Sequence, residues 1–186
     1  GPSIDLDDFD EILKLALLQK PNRVVITGDL IDKLAWLPQV CERLTTFAKQ
    51  IPDGVDFILG NHEYHHDVNK VLDSLKRNTP MNILVNSNIQ IMGGKQPVYI
   101  AGVAYDNDRE KEKREAMIDK ALSGIPDYAF VILLAHHPEF FEESIERKIP
   151  LTLSGHTHGG QIVFMGMPLV PTGTPYTKGR YVEEQS

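Results

Sequence analysis

Cysteine is almost absent from the 186-residue sequence, and the single one, Cys41, excludes an internal disulfide bond. A structural zinc site is also disfavoured, because such a site usually contains several cysteines. Long apolar runs are missing too: the longest, residues 128–135, falls far short of the ~20 residues in a membrane-spanning helix. One cysteine fits a reducing compartment, so we expect a cytoplasmic protein.

Basic residues are in the minority, since 19 lysines and arginines face 26 aspartates and glutamates and leave a net charge of −7. This balance disfavours a broad surface for nucleic acid or anionic membrane, and we expect no nucleic-acid partner. It does not exclude a phosphate substrate, because bound divalent cations would reverse the local charge. The length and a hydrophobic content of 41% predict one globular domain over residues 1–186.

Histidine is concentrated rather than scattered. All seven histidines fall in three short islands, at residues 60–66, 135–138 and 155–161. A fourth island, residues 28–32, contains two aspartates. Each island follows an apolar run typical of a buried strand, so its polar side chains lie at the C-terminal end of that strand. Ligands bind at this edge of α/β sheets, and the sequence therefore predicts one metal site gathered from distant parts of the chain.

The residue types in these islands favour metal-assisted chemistry at phosphorus. Imidazole, carboxylate and amide groups together suit divalent Mn²⁺, Zn²⁺ or Fe²⁺. Two such ions ~3.5–4 Å apart can hold a hydroxide between them and clamp both sides of an in-line displacement. An aspartate can bridge the two ions with its two oxygens.

Helical and strand-like segments alternate along the chain. Helices are predicted at about residues 6–17, 36–50, 67–78, 108–123 and 139–148, and strands at 23–27, 55–59, 82–86, 89–92, 98–103, 129–135, 151–154 and 161–165. The two short strands on either side of residues 86–88 predict a hairpin. The predicted order of elements begins as β-α-β and later includes hairpins. It predicts an α/β protein with two mixed β-sheets packed as a sandwich and helices outside.

The motifs GDLID and GNHE, a strand that ends in His136, and GHTH follow one another in this order. Together they resemble the calcineurin-like metallophosphoesterase superfamily, over residues 23–165. The longer form GHTHGGQ is similar to a bacterial subgroup often tied to membranes or the cell envelope. The resemblance implies a four-layer α/β fold and a phosphoester hydrolase with two divalent metal ions, Mn, Fe or Zn.

The resemblance also implies a set of metal ligands. Asp29 would bridge the two ions, His158 would bind the first, and Asn61, His136 and His156 would complete the second. The other site residues would act on the substrate. His62 would face the phosphate and protonate the leaving oxygen, and Asp32 would hold the His62 ring by a hydrogen bond.

The remaining polar residues of the islands have simpler interpretations. Glu63 is expected to brace a loop rather than bind metal. His65 and His66 are expected to be exposed at the rim of a cleft, and His137 to pack beside the metal ligands.

The sequence departs from the family at two places. The family begins with an Asp-x-His motif whose two residues bind the first metal, and this sequence contains none. We therefore expect that the first strand with that motif is missing, that the C-terminal end is cut short as well, and that the first metal site is incomplete. Phosphoprotein phosphatases of the superfamily have arginines where this chain has Lys33 and Leu59, which disfavours a protein phosphatase.

The sequence thus predicts a metal-dependent phosphoesterase that hydrolyses a phosphodiester, pyrophosphate or phosphomonoester by a metal-bridging hydroxide. The substrate would be a small molecule or linked to a lipid, and segments outside this sequence would provide any attachment to the membrane or cell envelope. Two alternatives stay open: a cyclic-nucleotide phosphodiesterase or nuclease, and a catalytically impaired binding module with the same fold. The sequence does not indicate an oligomeric state.

Overall fold

The computed structural model describes residues 5–105, 110–160, 163–164, 167–168 and 174–183. The chain divides into two compact units, Gly1–Leu84 and Val85–Ser186. Each unit has its own β-sheet. No helix in the described ranges is long and apolar enough to cross a membrane.

The first unit alternates helices and short strands. In chain order its elements are α1 (Leu6–Leu18), β1 (Val24–Ile26), α2 (Leu37–Ala48), β2 (Val55–Phe57), α3 (Asn61–Tyr64), α4 (Val68–Asn78) and β3 (Asn82–Ile83). The strands form a parallel sheet in the order β1-β2-β3, with Val24 opposite Val55 and Asp56 opposite Asn82. Because the strands are parallel, the loops after β1 and β2 leave the sheet at the same edge.

Helical periodicity explains how this unit buries its core. Helix α2 turns Leu44 inward and α4 turns Val71 and Leu75 inward, and all three side chains are fully buried with Phe57 of β2. Helix α1 begins at the cap residue Asp5, whose side chain accepts hydrogen bonds from the N–H groups of the next turn. None of the α1 side chains is buried, so this helix contributes little to the core.

A buried ion pair lies among the strands of the first unit. The Asp56 carboxylate is fully buried, accepts from Arg23 Nη1 at 2.7 Å and accepts from Asn82 Nδ2 at 2.8 Å. Both of its oxygens therefore have side-chain partners, which a buried carboxylate requires.

The second unit contains a mixed sheet. Its elements are β4 (Ser87–Met92), β5 (Val98–Gly102), α5 (Lys111–Leu122), β6 (Phe130–Ala135), α6 (Phe140–Glu146), β7 (Leu151–Ser154), β8 (Val163–Phe164) and β9 (Met167–Pro168). The order is β4-β5-β6-β7, in which β4 and β5 are antiparallel and the other pairs parallel. Strands β8 and β9 form a separate antiparallel pair.

Helices α5 and α6 pack against one face of this sheet. Ile118 of α5 and Phe140 of α6 belong to one buried cluster with Val103 and Leu133. An ion pair joins the two helices, since Arg114 Nη2 lies 2.6 Å from Oε1 of the buried Glu143. One charged side chain of α5 thus has a buried partner on α6.

The α/β class with two sheets and helices is confirmed. The sheet of the second unit is mixed as predicted, whereas the described strands of the first sheet are all parallel. Packing of the sheets as a sandwich stays a prediction. In the predicted strand 161–165, residues 163–164 form β8 and residues 161, 162 and 165 lie outside the described residues, as do residues 108–109 of the predicted α5.

The predicted hairpin around residues 86–88 is wrong. Strand β3 pairs with β2, and β4 pairs with β5 across a turn that contains Gly93 and Gly94. Gly94 has a φ of 118°, which only glycine adopts readily, so it supplies the reversal. The apolar residues on both sides of residues 86–88 thus belong to two different sheets.

The burial pattern predicts very different costs for the same substitution at two helical leucines. Leu44→Ala should lower the free energy of unfolding of the first unit by about 2–5 kcal/mol, because it leaves a cavity in the core. Leu15→Ala on α1 should change it by less than about 0.5 kcal/mol, because Leu15 is 53% exposed. Urea denaturation followed by fluorescence of Trp36, the only tryptophan, measures both. Equal losses of unfolding free energy in the two variants would mean that Leu44 is not a core residue.

Candidate active site

The loop after β1 has an unusual backbone. Gly28 has a φ of 101° and Asp29 a φ of 57°, so both residues lie in the left-handed region. Asp29 is not a glycine, so this conformation costs of order 1–3 kcal/mol and persists only where the surrounding structure imposes it. In this loop the constraint comes from hydrogen bonds to the side chain of Glu63.

Glu63 lies in the short helix α3 and is fully buried. Its carboxylate accepts hydrogen bonds from four backbone N–H groups, those of Asp29 (3.0 Å), Leu30 (2.6 Å), Ile31 (2.8 Å) and Gly60 (2.7 Å). Burial raises the pKa of this carboxyl, while the hydrogen bonds from Ile31 and Gly60 act in the opposite direction. The prediction that Glu63 braces a loop is confirmed.

His62 lies between two aspartates of the β1 loop. Its backbone N–H donates to Asp29 Oδ1 at 3.0 Å, and its ring atom Nε2 lies 3.9 Å from Asp29 Oδ2. Its other ring nitrogen, Nδ1, lies 2.6 Å from Asp32 Oδ1. A carboxylate only accepts, so Nδ1 carries the proton in this contact and Nε2 is oriented toward the Asp29 side. The predicted contact between Asp32 and His62 is confirmed.

The next two histidines differ from each other. His65 is exposed as predicted, and its ring stacks on that of His62 with centroids 5.5 Å apart. His66 is half-buried, and its Nε2 donates to the backbone carbonyl of Asp32 at 3.1 Å. The expectation that His66 is an exposed rim residue is therefore wrong, because it holds the loop that carries Asp32.

The second unit brings two predicted metal ligands together. His136 follows β6 directly, and His156 follows β7 after Gly155. The distance between His136 Nε2 and His156 Nδ1 is 3.2 Å. Two nitrogens bound to one metal at about 2.0–2.1 Å lie about 3.0–3.4 Å apart, so this pair fits a shared divalent cation.

Aromatic rings surround this histidine pair. His137 is buried, and its ring stacks on His156 with centroids 3.9 Å apart and on Tyr105 with centroids 5.2 Å apart. Its Nδ1 lies 3.1 Å from Glu139 Oε2, which orients the ring. His137 thus packs beside a predicted ligand, as expected. Sequence reasoning missed Tyr105, although its position just past the carboxyl end of β5 is a signal that could have found it.

The other two predicted ligands also lie at strand ends. Asn61 is the first residue of α3, after β2, and His158 begins a short turn after β7. His158 is exposed and has a φ of 50°. Gln161, the last residue of GHTHGGQ, lies outside the described residues.

Among the described residues, six that are not glycine have left-handed φ values, and three of these six are predicted ligands. Asp29, His156 and His158 all have φ between 50° and 67°. Non-glycine residues adopt this region rarely, and such strain gathers at functional sites.

Comparison with known proteins assigns the family. Residues 3–160 match the calcineurin-like phosphoesterases. This chain belongs to that family. The resemblance drawn from GDLID, GNHE and GHTH is thereby confirmed, whereas membership of the GHTHGGQ subgroup stays a prediction.

Similar proteins are longer than this chain. An uncharacterized metallophosphoesterase of Campylobacter jejuni is 35% identical over 97% of the chain, which spans 47% of that relative. One from Aquifex aeolicus is 32% identical over 91% of the chain and 63% of the relative. A transmembrane protein with a metallophosphoesterase domain from Danio rerio is 28% identical over 87% of the chain and 38% of the relative.

The Asp32 contact predicts the tautomer of His62. Neutral His62 should carry its proton on Nδ1, because the carboxylate 2.6 Å away can only accept. Asp32→Ala should shift the ring toward the Nε2–H form, which two-bond ¹H–¹⁵N correlation spectra distinguish. Asp73→Ala is the control, since Asp73 is exposed and pairs only with Arg77 among the contacts described. A wild-type proton on Nε2 would refute the contact.

Proposed function

We propose that this phosphoesterase hydrolyses its substrate with divalent metal ions and a general acid, His62. The observation that supports this most is the placement of the His62 ring between two carboxylates. Asp32 lies 2.6 Å from Nδ1, and Asp29, a predicted metal ligand, lies 3.9 Å from Nε2. An imidazole held in this way can deliver a proton beside a metal-bound phosphate.

The proposed metal ligands are the five residues that match the family motifs. They are Asp29, Asn61, His136, His156 and His158. Their oxygen and nitrogen donors suit Mn²⁺, Fe²⁺ or Zn²⁺, and we propose two ions with Asp29 shared between them. The 3.2 Å separation of the His136 and His156 nitrogens supports the second ion of the pair.

Divalent ions would polarise the phosphoryl group and lower the pKa of a bound water. This route is favoured over a covalent one. Cys41, the only cysteine, is buried with its Sγ 3.7 Å from Ser74 Oγ, and burial raises the pKa of its thiol. A buried thiol with a raised pKa is a poor nucleophile.

His62 of α3, together with Asp32 of the loop after β1, would supply the proton for the leaving oxygen. The doubly protonated ring of His62 would donate its Nε2 proton to the leaving oxygen as the bond to phosphorus breaks, and the proton that remains on Nδ1 stays hydrogen-bonded to Asp32. His66 keeps Asp32 in place through the backbone carbonyl. Hydrogen bonds thus link His66 to the backbone of Asp32, and the Asp32 carboxylate to the His62 ring.

The substrate we propose is a small-molecule or lipid-linked phosphodiester, pyrophosphate or phosphomonoester. A phosphoprotein is disfavoured, because Leu59 is fully buried and Lys33 holds its ammonium 4.2 Å from the Trp36 ring centroid. Neither residue offers the bidentate clamp that arginine provides. A cyclic-nucleotide phosphodiesterase or nuclease is the enzymatic alternative, and a binding module without turnover is the other.

Metal dependence tests the proposal directly. Hydrolysis of bis-p-nitrophenyl phosphate should require added Mn²⁺ or a similar ion and should vanish in excess chelator. His156→Ala should weaken Mn²⁺ binding by about 100-fold or more, since even the outer partners of ligands account for 10–100-fold. His65→Ala, which removes an exposed histidine, should leave Mn²⁺ affinity unchanged in calorimetry. Full activity in excess chelator would rule out the metal mechanism.

Leaving-group dependence tests His62. His62→Ala should slow turnover by on the order of 10²–10⁴, with little change in Mn²⁺ affinity. The loss should be largest for alkoxide leaving groups and smaller for nitrophenolate, which needs little protonation. Asp32→Asn should show a milder loss of the same pattern. An equal loss for good and poor leaving groups would mean that His62 only binds the phosphate, and loss of Mn²⁺ would make it a ligand.

A further inference from the structure

Glu63 is a buried carboxylate to which the proposed reaction assigns no role. We propose that it is a positioning residue that sets the geometry of Asp29 and Asn61 before any metal binds. This inference rests on the proposed function, because it assigns Glu63 a task in the same site.

The two oxygens of Glu63 divide their partners between two loops. Oε1 accepts from the N–H groups of Leu30 and Ile31. Oε2 accepts from Asp29, in the same loop, and from Gly60, which directly precedes Asn61. One side chain therefore joins the backbone after β1 to the backbone after β2, and both loops carry a proposed ligand.

The β1 loop needs this carboxylate in order to keep its shape. Three successive N–H groups, from Asp29 to Ile31, point at a single side chain because Gly28 and Asp29 adopt left-handed φ values. Such a concave row of N–H groups binds an anion and repels a donor. Without a negative charge at its centre, the loop would relax to a conformation that presents Asp29 differently.

A second contact extends the constraint to the Asp29 side chain. The His62 N–H, one residue before Glu63, donates to Asp29 Oδ1 at 3.0 Å. Residues 62 and 63 therefore hold Asp29 at its backbone and at one carboxylate oxygen. The remaining oxygen, Oδ2, is oriented to the side where the His62 ring lies, 3.9 Å from Nε2.

Asp56 shows what a buried structural carboxylate looks like in the same unit. It is as fully buried as Glu63, but its described partners are the side chains of Arg23 and Asn82, next to and within the sheet. Among the hydrogen bonds and ion pairs of the described residues, those of Asp56 side-chain oxygens involve neither the β1 loop nor Asn61. Asp56→Asn is therefore a matched control: it makes the same change from carboxylate to amide, at equal burial, away from the proposed ligands.

The experiment compares Glu63→Gln with Asp56→Asn. The amide introduced by Glu63→Gln would turn an NH₂ group toward backbone donors, so the loop should lose its preset shape. Mn²⁺ titration by calorimetry should show an affinity weakened at least about tenfold in Glu63→Gln, and less than about twofold in Asp56→Asn. Hydrogen exchange of the metal-free protein should show faster exchange at the amides of residues 29–31 and 60 only in Glu63→Gln. Urea denaturation gives the stability of each variant.

The outcomes separate positioning from mere stability. Weaker Mn²⁺ binding in both variants, in proportion to their loss of stability, would overturn the positioning role. If Glu63→Gln does not fold, Glu63→Asp replaces it, since it keeps the charge with a shorter reach; wild-type Mn²⁺ affinity in that variant would overturn the inference, and weakened affinity with preserved stability would support it. Absence of Mn²⁺ binding in the wild type would refute the proposed function itself, whatever the variants show.

Discussion

The hydrogen bonds that Glu63 accepts from four backbone N–H groups are the interaction on which the first unit's site depends. They hold the loop after β1 in a left-handed conformation that its own residues disfavour, and they tie that loop to the start of α3. Asp29, Asp32 and His62 take their relative positions from this arrangement. Because the carboxylate is buried, water does not readily replace it as an acceptor, and this is why we propose that the conformation is set before a ligand arrives.

The second unit reaches a similar result with rings instead of a carboxylate. His137 stacks on His156, Tyr105 packs on His137, and Glu139 orients the His137 ring. The nitrogens of His136 and His156 consequently lie at a separation that one divalent ion can bridge. In each unit, groups that are not themselves proposed ligands thus hold proposed metal ligands in place.

Much of the fold was predictable because it follows from local periodicity. Helices α2 and α4 keep the spacing of their buried side chains, and the strands β5, β6 and β7 appear where apolar runs predict them. The pairing of the strands on either side of residues 86–88 was not predictable in this way, since local periodicity does not show which neighbour a strand pairs with. The partner of a strand is set by contacts distant in sequence, and these left β3 with β2 and β4 with β5.

The sequence by itself determined the family: histidines and aspartates at the ends of apolar runs, in the order GDLID, GNHE, GHTH, are enough to indicate a calcineurin-like phosphoesterase. It also determined the contact between Asp32 and His62, because both belong to motifs whose roles the family defines. Only the tertiary structure decided that His66 holds the Asp32 backbone, that Tyr105 belongs beside His137, and that Glu63 meets three consecutive amides. These contacts join residues about 30 positions apart or depend on a left-handed backbone, and neither feature leaves a periodic trace in the sequence.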